Sequence, residues 1–450
     1  MKEKLSKFNF SPYFPFDVSR WPFFYGWIIL FAGVFGVLMS LPGQTAGIGA
    51  FTNHLMTNYR IDRVSLTFAY SVGTIISGFL VRYVGRMYDK VGVRPIAILA
   101  ALILAGTLVI LSQLDRIAQF FTSFIGSSHH TTIILIMLIP LFLFLRLSGQ
   151  GVTTLISRNM VMKWFETRRG FANIFLGIII TLGFNATPKI FDDLIQSSSW
   201  RVAWLGMALF LATVYILVII FFFRDNPQSL GLRPDGALKP NLNKKGQSLF
   251  VASEDFTLKE ARRTREFWLY SFILALLGLF FTGFTMNYES IFTSQGLTKE
   301  LALQIFILSG FCSLGFQLAG NWISDFVSLK YFLPLAAAFI LVNILSVPFL
   351  GNKNLYYYIF IISLGANSAF FGIFSAITWP RLFGTLHLGE ISGYSIGIIV
   401  ISSALGPFLM SLSQKYLQSY HPSFYLCAAA GLILFILSFT ARDERTIKRK

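Results

Sequence analysis

Charge is scarce in this chain: 13% of its 450 residues are Asp, Glu, Lys or Arg, about half the share of an average soluble domain. With 55% of residues apolar and 49 Phe, too few polar side chains remain to cover a water-facing surface. The same apolar surplus excludes intrinsic disorder. Cysteine is nearly missing, and Cys312 and Cys427 lie far apart inside apolar stretches, which excludes a disulfide framework or zinc spacing. His54, His129, His130, His387 and His421 are scattered at loop edges and form no metal pair. No Walker loop occurs, so direct use of ATP is not supported. No cofactor or metal is expected.

What the chain does have is long apolar runs. A membrane helix needs roughly 20 mainly apolar residues. That window gives about twelve spans: 24–50, 66–84, 95–113, 131–160, 170–190, 201–223, 267–290, 302–323, 331–350, 355–380, 389–412 and 421–440. The first is too long for a signal-peptide core and reads as an uncleaved helix. Barrel strands would be short and alternating in polarity, which these runs are not. The expected fold class is therefore all-α integral membrane, with two pseudo-symmetric six-helix bundles. Residues 224–266 carry nine Lys/Arg, six Asp/Glu and three Pro. They divide the chain into an N-terminal bundle (1–223), a cytoplasmic linker (224–266) and a C-terminal bundle with tail (267–450). An amphipathic stretch around 256–266 suits the membrane surface.

The net charge of +17 follows the loops. With the N-terminus inside, cytoplasmic segments hold 28 Lys/Arg and the opposite segments eight, leaving Arg146 within a span. The positive-inside rule then puts both termini in the cytoplasm, and nucleic acid is not needed to explain the excess. The two halves also echo one another. Gly85, Asp89 and Arg94 answer to Asn321, Asp325 and Lys330 at an offset of 236. Trp164-Phe165 answers to Leu382-Phe383 at 218, and Gly170 and Pro188 to Gly389 and Pro407 at 219. One longer connection at 114–130 in the first half accounts for the step.

Gly85-Arg-Met-Tyr-Asp89-Lys-Val-Gly92-Val-Arg94 resembles the loop motif of the major facilitator superfamily, with Val93 where a basic residue is usual. Both glycines suit tight helix ends, and Asp89 can meet a helix N-terminus or Arg94. The resemblance implies that Asp89 latches the outward-open state against span eleven. A closer resemblance is to the branch of monocarboxylate transporters and oxalate–formate antiporters. It is carried by Pro42-Gly-Gln-Thr45, Arg146-Leu-Ser-Gly-Gln-Gly151, Trp164-Phe-Glu-Thr-Arg-Arg-Gly170, His387-Leu-Gly-Glu-Ile-Ser-Gly393 and Ser403-Ala-Leu-Gly-Pro407. That branch's cationic carboxylate clamp does not carry over. Gln317 stands where its span-eight Arg would be, Ser313 at its acidic partner and Ala46 at its span-one Lys. Arg146 is also one residue off the superfamily's usual spacing to the following glycines.

Two intramembrane charges stand outside the topological pattern. Arg146, near mid-span four, costs at least roughly 2.5–3.5 kcal/mol if uncompensated, so it needs water, a partner or a substrate. Glu289, near the outer end of span seven, is a candidate proton-coupling carboxylate. Gln44, Thr45, Gln150, Asn287, Gln317, Asn367 and Ser368 are candidate substrate contacts, and Tyr70 and Trp379 are flat faces for stacking. The expected function is secondary active transport of a small organic solute, an organic anion being one candidate class, by alternating access driven by a proton or counter-solute. The chain is expected to work as a monomer in a bacterial inner membrane. The alternative within transport is export of amphipathic compounds. A membrane-embedded enzyme would show clustered His, Asp or Cys, and a receptor an added soluble domain; neither pattern is present.

Overall fold

The computed structural model describes residues 13–18, 21–125, 130–165, 169–233, 255–324, 326–351, 354–384 and 388–443. Asp325, His129 and His387, and the side chain of Asp89, lie outside that description. Among the described residues, twelve helices are long and apolar enough to cross a membrane. In chain order, spans one to six are Gly26–Tyr59, Arg63–Gly85, Val93–Ser123, His130–Trp164, Ile174–Ser197 and Trp200–Phe222. Spans seven to twelve are Arg265–Thr293, Lys299–Ser324, Leu329–Phe349, Asn354–Phe383, Ile391–Leu417 and His421–Ser438. Most run a few residues beyond the apolar window. A helix satisfies its own backbone wherever it lies, so it need not stop where the hydrocarbon does.

The chain separates into two compact units, Met1–Leu242 and Asn243–Lys450. In the first unit span one packs on five, two on four and three on six; in the second seven packs on eleven, eight on ten and nine on twelve. The pairing scheme is thus the same in both, as the sequence echo implies. Each unit turns large apolar side chains outward, such as Phe31, Ile136 and Leu209 in the first and Phe311, Leu426 and Ile433 in the second. In water such surfaces would associate; against lipid they are neutral.

Polar clamps at the helix ends also repeat. In the first unit Arg94, buried, donates from Nε to Phe223 O (2.8 Å) at the end of span six, and Lys163 pairs with Asp225 (2.9 Å). In the second unit Lys330, which answers to Arg94, pairs with Asp443 (3.4 Å) just past span twelve. Arg224-Asp225 and Arg442-Asp443 share the offset of 218, an echo the sequence reading missed. Tyr25 donates to Phe222 O at this same end (3.3 Å), and burial pushes its phenol up to about 12, so it remains a neutral donor. At the opposite end of the first unit, Arg201 grips Asp115 with both Nη atoms (2.6 and 3.2 Å), joining spans three and six.

Gly92 ends the second helix at φ +90°, as expected for a position that favours glycine. Gly85, expected at a helix end too, instead lies inside the continuous helix Arg63–Val91. Nothing stands within 4 Å of where its Cβ would be, so neither packing nor backbone requires glycine there.

Candidate functional site

Span one is broken at its middle. Gly26–Leu38 is helical, Leu41–Gly43 forms one 3-10 turn, and Thr45–Tyr59 resumes the helix. Pro42 supplies the break: it lacks the N–H and its ring opposes a continuous α-helix. Facing this break, span four departs from α geometry as a π-helix over Arg146–Thr153. A π-bulge is a one-residue insertion into an α-helix, and such bulges concentrate at functional sites. The extra residue accounts for the spacing of Arg146 to its glycines. Gly43 and Gly149 let the two irregular segments touch. A Cβ on Gly43 would lie 2.5 Å from Leu145 O and 2.8 Å from Gly149 Cα.

Arg146 is placed by this junction. Its side chain is 1% exposed. Nη1 donates to Gly43 O (2.9 Å), a carbonyl at the break. Nε and Nη2 are buried and have no hydrogen-bond partner among the described residues. The guanidinium carbon stands 5.3 Å from the Tyr70 ring centroid, and Tyr70 OH shares a 2.8 Å hydrogen bond with Thr45 Oγ1. Among the described residues no carboxylate pairs with Arg146. The cation–π contact is worth roughly 2 kcal/mol when desolvated, and a carbonyl and a ring leave the charge formally uncompensated. The helix restarting at Thr45 has its first N–H groups at this same break.

A second network joins helix segments. Gln44 Nε2 donates to Ser40 Oγ (2.9 Å) and Thr154 Oγ1 (3.2 Å), Thr154 donates to Ser40 Oγ (3.1 Å), and Ser40 donates to Val37 O (2.6 Å). It ties both halves of the broken span to span four. Of the residues singled out from sequence, Gln44, Thr45, Tyr70 and Arg146 are therefore brought together, with half-buried Gln150 in the same π-helix.

The second-unit candidates do not form one group. Asn287 donates to Gly283 O within span seven and its Oδ1 accepts from Ser411 of span eleven (3.4 Å). Asn367 is buried and donates to Phe339 O of span nine (3.4 Å), while its Oδ1 has no partner among the described residues. Half-buried Gln317 approaches Gly372 of span ten. Glu289 pairs with Lys299 (3.8 Å), both partly exposed. Trp379 is buried against Phe267 and Phe383, packed as core. Arg158, which the sequence reading did not single out, also lies within span four, exposed. Its signal was present in the sequence as a base only twelve residues past Arg146.

The family model described as Major Facilitator Superfamily matches residues 33–393. No curated protein sequence matches. Among the solved structures that share the fold are the following two. One is a point mutant of the nucleoside transporter NupG, at TM-score 0.65 and 12% identity, covering 92% of this chain and 99% of its own. The other is a D-xylose–proton symporter at TM-score 0.66 and 13% identity, covering 94% of this chain and 99% of its own. With a family match over most of its length and twelve helices in two like units, the chain belongs to the Major Facilitator Superfamily and is a multi-pass secondary active transporter.

Proposed function

We propose that the transported solute is a small organic anion and that Arg146 is the group that holds its negative charge. The observation that carries this reading is the pair of buried, unpartnered donors on Arg146 beside the broken first span. A buried polar group without a partner costs about 1–3 kcal/mol, more when charged, and a carboxylate can accept two parallel N–H bonds from one guanidinium. A substrate anion would relieve that cost, so binding and the local electrostatics favour the same event. Half-helix N-termini aimed at anionic groups are a recurrent device of transporters. The anion site would lie in spans one, two and four, not at Gln317, where the monocarboxylate branch places its cation; membership of that branch is part of the proposal.

Transport would proceed by alternating access, coupled to a proton, the mode named for the xylose symporter, or to a counter-solute. Glu289 is the proposed proton carrier, its pairing with Lys299 released on protonation. Both termini would face the cytoplasm of a bacterial inner membrane, and the working unit would be the monomer.

The test is ligand-induced thermal stabilisation of the purified chain against a panel of carboxylates, phosphorylated solutes and neutral solutes of similar size. A carboxylate should raise the melting temperature of the wild type and leave Arg146→Gln unmoved. Stabilisation by neutral solutes alone, or equal stabilisation of Arg146→Gln, would sink the anion reading and favour an exporter of uncharged amphipathic compounds.

A further inference from the structure

The segment leading into span seven carries a built basic groove. Thr257 caps a single turn, Leu258–Ala261, with Glu260 closing the capping box from within. Glu260 accepts from both Thr257 N (2.8 Å) and Thr257 Oγ1 (2.7 Å). Phe256 and Ala261 are buried in the second unit's core, and Phe256 N donates to Phe383 O (2.9 Å). The turn is thereby fixed to the helical body, with its polar side outward.

On that side a cavity of about 550 Å³ is lined by Thr257, Leu258, Lys259, Arg262, Arg263 and Trp268. Lys259, Arg262 and Arg263 are exposed, and none has an ion-pair partner among the described residues. The two acids within residues 256–266 are committed elsewhere: Glu260 to its capping box, and buried Glu266 to Arg442 N (3.3 Å). Arg262 is held over the Tyr394 ring (4.6 Å), and its carbonyl accepts from Trp268 Nε1 (2.8 Å). Trp268 packs on Phe272 one turn deeper into the span, with ring centroids 5.4 Å apart, and Phe272 is exposed. Three cations thus stand at the start of a membrane span, directly above an aromatic ridge that descends into it.

We infer that this groove binds the headgroup phosphate of an acidic phospholipid, with an acyl chain lying along Trp268 and Phe272. The cations match the phosphate, and Trp at the edge of a span is the residue that marks the headgroup level. Basic groups beside a span gain substantially from anionic lipid. A soluble phosphate would meet the same cations and leave the aromatic ridge unused, which separates the two sources by experiment.

The measurement is binding of phosphatidylglycerol to the full chain in detergent, by native mass spectrometry and by thermal shift. Phosphatidylcholine and glycerol 3-phosphate serve as controls. Each neutralised cation in Lys259→Gln, Arg262→Gln and Arg263→Gln should weaken phosphatidylglycerol binding about fivefold, with little change in the lipid-free melting temperature. Brominated phosphatidylglycerol should quench the fluorescence increment that Trp268→Phe removes, and brominated phosphatidylcholine should quench it less. Undiminished phosphatidylglycerol binding in the triple variant, glycerol 3-phosphate binding as well as the lipid, or equal quenching by both lipids would overturn the inference.

Discussion

At Arg146 a permanent charge is buried with one hydrogen bond and two idle donors. Its presence in an apolar run was legible from sequence; its missing partners were not, because they depend on which carbonyl and ring the fold brings near. Glu289 was equally visible, but its pairing with Lys299 was not, since that residue lies ten positions on across a turn and reaches it at 3.8 Å only once the turn is made. If Glu289 carries the coupled proton, Glu289→Gln should abolish the pH dependence of uphill uptake while leaving counterflow exchange in place. An unchanged pH profile would reduce Glu289 to a helix-end ion pair. For Asn287 and Asn367, polar residue type on a span made them candidates; for Gln317, its place at the branch's span-eight Arg did so too. Composition cannot tell a substrate contact from a polar group used to join helices, and the partners of Asn287 and Asn367 on spans eleven and nine are of the second kind.

At the scale of the element, the two irregularities in spans one and four belong together. Hydropathy reads residues 24–50 as one continuous span, because Pro42 and Gly43 hardly lower the average over a twenty-residue window. The break they cause is local stereochemistry, and averaging hides it. The π-helix left a fainter trace, a one-residue departure in the spacing after Arg146. The junction rests on two glycines in backbone contact, so Gly43→Ala should be severe. Its Cβ would meet backbone atoms at 2.5 and 2.8 Å, which no rotamer change can relieve. A cost of roughly 1–3 kcal/mol is expected for such overpacking, seen as a lower melting temperature with loss of ligand stabilisation. A similar approach recurs where Gly406 of span eleven meets Leu279 O and Gly283 of span seven, the close crossing that small residues permit.

At the scale of the whole molecule, the count of twelve spans was readable, since membrane solvation imposes one helix length. The clamps at the helix ends were harder to see. They join residues distant in sequence, and Arg224-Asp225 and Arg442-Asp443 were masked by the bias of the loops toward basic residues. Lys163 and Asp225, each about one-third exposed, should contribute roughly 0.5–1 kcal/mol. Asp225→Lys should therefore lower the melting temperature by a few degrees, and adding Lys163→Asp should recover most of the loss. Failure of the double exchange to recover it would mean that the two charges act separately.

In the proposed mechanism, Arg146 is the anion-binding group. The most direct measurement is uphill uptake of the best-stabilising carboxylate into proteoliposomes under an imposed pH gradient, comparing wild type with Arg146→Gln and Arg146→Lys. Arg146→Gln should lower uptake by more than about tenfold, equivalent to at least about 1.4 kcal/mol of lost substrate or transition-state interaction. Arg146→Lys, which keeps the charge but loses the planar fork, should fall between the two. Melting temperatures without ligand should stay within a few degrees of one another. Uptake by Arg146→Gln at the wild-type rate, in protein of unchanged stability, would contradict the account.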